Sequence, residues 1–309
     1  MKNRLKSYFA ICAAMILFGM SFVWSEGLLT DQKFPPQSLI FLRLIIAGIL
    51  LVAFLFATKR FQPLQKKDIK WFLLLALFEP FIYFLGETNG LRITESPSLG
   101  AVIVCTVPLF GMLACFLFYK ERPRITNILG VLLTLPGVVL VMFNSDFKLS
   151  APLTGILLLF TAAISTAGYA VIIRKLSRYS ALSIVAFQNF IGAAYFLPLV
   201  LAYEQKPLAA VVWNFDLIYP FLMLSVFCSA IGFVLFVVSV KKIGVNQSNM
   251  FTALIPIVAT VAAFLLGREG ITLQQIIGVA VVISGLILSQ YRRKTKNSEN
   301  EAIASIPEG

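Results

Sequence analysis

The sequence predicts an all-α, polytopic membrane protein: ten transmembrane helices arranged as two inverted repeats of five. Three observations carry that fold class. The 309 residues are 59% hydrophobic and only 13% charged, whereas a soluble domain carries about 25% charged residues. Apolar runs repeatedly reach the ~20 residues that cross a bilayer. Residues 92–143 also align without a gap on residues 240–291, at an offset of 148. A large soluble core would need shorter apolar elements and far more polar surface.

In that alignment Pro108, Glu121, Gly130 and Gly137 fall on Pro256, Glu269, Gly278 and Gly285, and Ala114, Phe116 and Leu117 fall on Ala262, Phe264 and Leu265. Each copy is an apolar segment with a proline, a short charged turn, and a second apolar segment with two glycines. Glycines seven residues apart nearly share one helix face, where a neighbouring backbone can approach closely. An ungapped register through two helices and their turn marks an internal repeat.

Taken in order, the chain opens with basic residues to Lys6 and an apolar run from Tyr8 to Trp24. Ser25-Glu26-Gly27 offers no small-x-small cleavage pattern, so the run is expected to be an uncleaved first span, 7–29. Phe34-Pro35-Pro36 precedes the second span, 37–57, and Gln62-Pro63 lies in the turn before the third, 69–91. Glu95-Ser96-Pro97 opens the fourth, 97–119, and Arg122-Pro123 the fifth, 125–143. The sixth and seventh are 153–173 and 181–203; after Lys206-Pro207 come 217–240, 246–267 and 273–291. Turn residues mark these short connections. The expected divisions are 1–146 for the first five-helix repeat, 147–291 for the second, and a polar, disordered cytoplasmic tail over 292–309.

Lysines and arginines orient the spans. With the N-terminus inside, twenty of the 26 basic residues fall at inner ends and five (Lys33, Arg92, Lys148, Lys206 and Arg268) at outer ends, leaving Arg43 within a span. The positive-inside rule then gives an N-in, C-in protein of the cytoplasmic (inner) membrane. The net charge of +12 is thus a topology signal rather than a nucleic-acid surface. Because each half holds an odd number of spans, the two copies face opposite sides: the turn Lys120-Glu121-Arg122 is expected inside, and Arg268-Glu269-Gly270 outside. Inverted repeats are the architecture of secondary transporters, since two mirror-related arrangements supply inward-open and outward-open states of similar energy.

The same residues carry a family resemblance. Phe18-Gly19 stands in the first span, Leu42-Arg43 with Ala47 in the second, and Pro108, Lys120-Glu121, Gly130 and Gly137 close the first half. Gly155-Ile156-Leu157 with Tyr169 stands in the sixth, and Pro256, Arg268-Glu269, Gly278 and Gly285 close the second half. This order resembles the EamA-type branch of the drug/metabolite transporter superfamily over roughly residues 8–291. It departs at Phe18-Gly19, where the family usually shows Trp-Gly. The resemblance implies a ten-helix carrier with a central cavity, moving small metabolites, amino-acid-like compounds or drugs, often outward. It leaves the substrate open.

Charges inside hydrocarbon cost about 2.5–3.5 kcal/mol on insertion scales, so each needs a partner or a wet cavity. Arg43 lies about two turns from the outer end of its span, and Glu87 ~8 Å below the outer end of the third. Their similar depths suggest an Arg43–Glu87 pair, with Glu26 as competitor; the other reading of Arg43 is a hold on an anionic substrate group. Glu79 lies ~13 Å into the third span and precedes Pro80, which loosens the helix. A carboxyl group there suits a proton carrier, against a neutral glutamic acid hydrogen-bonded to a neighbouring helix. Gln188 and Asn189 point about 100° apart in the seventh span, so one of them is expected to face the lumen. Tyr83, Tyr169, Tyr195, Gln247 and Asn249 are weaker candidates. Glu121 and Glu269, beside Lys120 and Arg268, read as structural ion pairs at the repeat turns.

Other functions find little support. The absence of histidine removes His-based metal sites and HExxH chemistry. Cys12, Cys105, Cys115 and Cys228 lie in apolar segments without a CxxC pair and read as packing residues. There is no GxxxxGK[ST] loop for a nucleotide-driven pump. Asp31, Asp68, Asp146 and Asp216 all fall at span borders, leaving no midplane pair for an intramembrane aspartyl protease. No filter-like repeat suggests a channel. An enzyme, a cofactor and a nucleic-acid partner are not expected; a small-molecule substrate, protons and the bilayer are. The alternative is a membrane receptor or sensor that moves nothing.

Overall fold

Inside a bilayer the backbone must satisfy its own hydrogen bonds, which favours helices. The computed structural model describes residues 2–120, 125–143, 148–243, 248 and 251–290. Their regular structure is helical, apart from an isolated bridge between Phe143 and Leu149. Glu121, Gln247, Asn249 and the tail over 292–309 lie outside the described residues. Among the described residues, eight helices are long and apolar enough to cross a membrane: α1 (Lys6–Thr30), α2 (Pro36–Ala57), α3 (Lys66–Thr94), α4 (Pro97–Ala114), α5 (Ile125–Met142), α6 (Leu153–Ile173), α7 (Ala181–Ala209) and α8 (Phe215–Ile243). Two shorter apolar helices, α9 (Phe251–Leu265) and α10 (Leu273–Ser289), stand where the sequence predicts the ninth and tenth spans.

Local chemistry fixes several starts. Ser96 Oγ accepts from Leu99 N ahead of Pro97, Ser180 Oγ from Ser183 N, and Asn214 Oδ1 from Leu217 N, so α4, α7 and α8 each begin on a side-chain cap. Apolar side chains then face both ways. In α5, Val138 and Val141 are buried while Leu129, Leu132, Leu135 and Val139 are exposed. Such apolar exposure would be a liability in water and is the natural surface against lipid.

The packing repeats itself. α5 lies along α10, and α2 along α7. The remaining major contacts recur when each helix number is advanced by five: α3 on α6 matches α8 on α1, α4 on α6 matches α9 on α1, and α3 on α7 matches α8 on α2.

At the α5–α10 seam the repeat glycines face one another. A Cβ on Gly130 would lie 2.5 Å from the Gly285 carbonyl, and one on Gly137 would lie 2.8 Å from the Gly278 carbonyl. Residue numbers rise along one helix as they fall along the other, so the two equivalent helices cross antiparallel. Amide side chains clasp both ends: Asn127 Nδ2 donates to the Ser289 carbonyl, and Gln274 Nε2 donates to Leu140 O (3.0 Å) and Phe143 O (2.6 Å). Helix-terminal carbonyls otherwise lacking partners are thereby satisfied.

Three kinds of break interrupt the helices, near the middles of α3, α4 and α8 and at the start of α9. α3 opens into a wide turn over Leu77–Ile82, with Glu79 at φ −144°, ψ 118° ahead of Pro80. α8 has a wide turn over Met223–Gly232. α4 turns at Cys105 and Thr106 before resuming at Val107, and α9 opens with a short 3-10 turn over Phe251–Ala253. Pro108 and Pro256 follow these last two breaks, which meet where Cys105 Sγ donates to the Thr252 carbonyl at 3.1 Å.

Candidate functional site

The proline after Glu79 cannot donate the helical hydrogen bond at its position, so α3 bends there and exposes an ionisable residue to its neighbours. The bend is seated by glycines on two other helices. Gly168 of α6 leaves room for the Phe78 ring, 2.5 Å from where its Cβ would stand, and Gly192 of α7 leaves room for Pro80. Neither glycine stood out in the sequence, because each needs a partner some hundred residues away to explain it.

Glu79 is buried between α6 and α7. It lies within electrostatic reach of Glu87, Tyr83 and Tyr169. Tyr169 donates its hydroxyl to Gln188 Oε1 at 3.2 Å, joining α6 to α7. Gln188 and Asn189 are both buried, and their directions differ as helical geometry requires: Gln188 meets Tyr169, whereas Asn189 Nδ2 has no protein partner. Tyr195 donates to the Leu73 carbonyl at 3.3 Å, a packing contact.

Arg43 is 2% exposed. Its Nε donates to Ser229 Oγ of α8 at 3.3 Å, and its guanidinium carbon stands 4.9 Å from the centroid of the Phe84 ring. Of the two carboxyl groups expected to compete for it, only Glu87 interacts with Arg43, and only at a distance. Arg43 and Glu87 attract one another through space, yet no direct ion pair joins them; Arg43 Nη1 and Glu87 Oε2 are both buried without a hydrogen-bond partner. Glu26 is engaged elsewhere, accepting from Thr30 Oγ1 at 2.7 Å and facing Arg268 at 3.8 Å. Tyr83 is half-buried, edge-on to Phe84 at 5.1 Å, and within reach of Arg43 and both carboxyl groups.

The structure therefore draws Arg43, Glu79, Tyr83 and Glu87 into one buried polar cluster, adjoined by Tyr169 and Gln188. Ser229 and Phe84, the groups that hold Arg43, were missed. Ser225 and Ser229 lie four residues apart in the otherwise apolar stretch Met223–Gly232, and that spacing was the available signal.

The turn glutamate Glu269 accepts from Ser98 N at 3.3 Å, at the start of α4. Its neighbour Arg268 pairs with Asp31 as well as facing Glu26. Two further polar joints brace the helix ends. Glu204 accepts from Gln37 N (3.1 Å), Ser38 N (2.7 Å) and Ser38 Oγ (2.8 Å), capping α2 with a carboxyl group. At the opposite end of α2, Asp68 takes bonds from Arg178 and from the Tyr179 hydroxyl (2.7 Å), while Gln62 Oε1 accepts from Ser180 N (2.8 Å). Among the described residues no group of three His, Cys, Asp or Glu side chains is placed to hold a metal ion.

The sequence pattern of the EamA-like transporter family matches the chain twice, over residues 5–143 and 153–291. The "Uncharacterized transporter YetK" of Bacillus subtilis is 27% identical over 302 residues, spanning 95% of this chain and 89% of the relative. The "Uncharacterized transporter YvbV" of the same organism is 25% identical and covers 92% and 91%. An "Uncharacterized transporter in sor 3'region" of Acidianus ambivalens is 29% identical over 259 residues, covering 83% and 94%. A crystal structure shares the fold at TM-score 0.65 and 19% identity, over 89% of this chain and 97% of the other.

Proposed function

Because the chain belongs to the EamA-like transporter family, we propose that it is a secondary active transporter that exports small metabolites by alternating access. In this reading ten helices cross the cytoplasmic membrane with both termini inside, as two inverted halves divided near residue 146. The observation that carries it is the antiparallel seam of α5 and α10. Equivalent helices of two repeats that cross head to tail are related by an axis lying across them, the arrangement from which inward-open and outward-open states of similar energy follow. The buried cluster of Arg43, Glu79, Glu87 and Tyr83 supplies the polar centre such a carrier needs. Glu79, in the bend of α3, is the proton carrier of the pair of acids.

Purified protein in sealed proteoliposomes should support concentrative or exchange flux of a small solute when a pH gradient is imposed. A receptor or sensor would move nothing. A reporter fused after Tyr291 should read cytoplasmic, and one placed at Lys148 should read external. An external C-terminus would break the five-plus-five arrangement and the alternating-access reading with it.

A further inference from the structure

The end of the bundle where α3 begins draws positive charge from two segments onto one ring. Lys70 Nζ stands 5.1 Å from the centroid of the Trp71 ring. Lys175 Nζ, in the 3-10 turn Arg174–Leu176 that follows α6, stands 5.9 Å from the same centroid. Both lysines are exposed, while Trp71 is half-buried against the core. Lys66 and Lys67, also exposed, lie about one turn before Lys70. A positive-inside bias accounts for basic residues at this end. It does not account for two of them drawn to a shared ring, where like charges repel. The carboxylate nearest in sequence is taken, since Asp68 accepts from Arg178 and from the Tyr179 hydroxyl. Among the described residues no acid pairs with Lys66, Lys67, Lys70 or Lys175.

Beyond the amines the surface of α3 turns apolar. Leu73 and Leu74 are exposed, and side chains three and four residues on share the side of the helix that carries Lys70. A ligand with both an anionic head and an apolar body covers the two surfaces together. We infer that this is a binding site for an anionic phospholipid, with the phosphodiester between Lys70 and Lys175 and an acyl chain along Leu73 and Leu74. The negative charge of the phosphodiester offsets the repulsion between the amines. A choline headgroup fits poorly, because the Trp71 ring that would receive a quaternary ammonium already faces two amines. The lipid would bridge α3 and α6, which meet again where the Phe78 ring rests on Gly168, and so brace the bent helix at its base. The site stands apart from the buried cluster and needs neither a transported solute nor a gradient.

The test uses the full chain in detergent, with phosphatidylglycerol, phosphatidylcholine and inorganic phosphate as probes. Native mass spectrometry should show phosphatidylglycerol retained in preference to phosphatidylcholine. Short-chain phosphatidylglycerol should raise the unfolding temperature where inorganic phosphate does not. Lys70→Gln combined with Lys175→Gln should weaken that retention by about tenfold or more. Folded yield should be unchanged, because both side chains are exposed. Lys59→Gln combined with Arg60→Gln removes two exposed charges at the same end, neither of them over the Trp71 ring, and should leave retention nearly unchanged. Equal losses in the two double variants would reduce the site to diffuse attraction between a basic surface and an acidic membrane, and so overturn it. Equal retention of the two lipids, or a matching response to inorganic phosphate, overturns it as well. None of these readouts depends on flux, so a failure of the carrier reading would leave the lipid site standing, and the reverse holds too.

Discussion

The two halves share a scaffold and differ in chemistry. Arg43 is the eighth residue of α2, and Gln188 is the eighth of α7. α3 and α8 both open into wide turns, over Leu77–Ile82 and Met223–Gly232. Yet the ionisable side chains of the buried cluster, Arg43, Glu79 and Glu87, all come from the first copy. The second contributes neutral groups: Tyr169, Gln188 and Ser229. Duplicated packing gives a carrier two arrangements of comparable energy, whereas recognition and coupling need groups that are not interchangeable. The equivalence therefore survives where helices pack and is lost where a solute would sit.

The most damaging way to break the comparison is at the seam. Gly130→Leu would drive a side chain into the backbone of α10 at Ser289, and the helix cannot yield without losing its clasps. A loss of about 3 kcal/mol or more is expected, seen as a collapse of the monodisperse fraction on size exclusion. Gly285→Leu should do the same. Tolerance at either position would mean that the two copies are not equivalent there. Glu79→Gln comes next and should separate the halves functionally. It should abolish pH-gradient-driven uptake while exchange at equal pH persists, whereas Ser225→Ala, in the corresponding turn of α8, should leave gradient coupling in place. Surviving gradient-driven uptake in Glu79→Gln would make that residue structural.

A smaller effect is expected between Arg43 and Glu87. Breaking a direct buried ion pair costs about 3–5 kcal/mol. Since these two meet only through space, the coupling term in an Arg43→Gln and Glu87→Gln cycle should be about 1 kcal/mol, measured as folded yield or unfolding midpoint. A coupling of several kcal/mol would restore the direct pair. Smallest of all, Tyr169→Phe removes one buried hydrogen bond, to Gln188, and should cost about 1 kcal/mol in thermal stability.

The repeat could be read from the sequence because its signal is periodic: Gly130 and Gly137 share a helix face, and Gly278 and Gly285 match them at a constant offset. Their opposition across the seam follows almost directly. Arg43, Glu79 and Glu87 were also visible, as charges where apolar residues should stand. What sequence could not supply was their company. Depth along a span is set by counting, but rotation about the helix axis and the neighbour it meets depend on tertiary packing. Hence Arg43 and Glu87 were rightly placed at similar depths yet do not touch, and Glu26 turned to Arg268 instead. Gly168 and Gly192 were silent for the same reason. A glycine in an apolar helix gains its meaning only from the side chain that rests on it.

The clasped seam also bears on how the protein is made. α5 leaves the ribosome roughly 150 residues ahead of α10, and α2 about as far ahead of α7. Until those partners arrive, the glycine face of α5 can meet only lipid, and the amide of Asn127 lacks the carbonyl it binds in the finished protein. A stretch that matches a whole family unit is thus left waiting for its twin. Residues 1–146 made alone should be rapidly degraded, and co-production with residues 147–309 as a separate chain should rescue both.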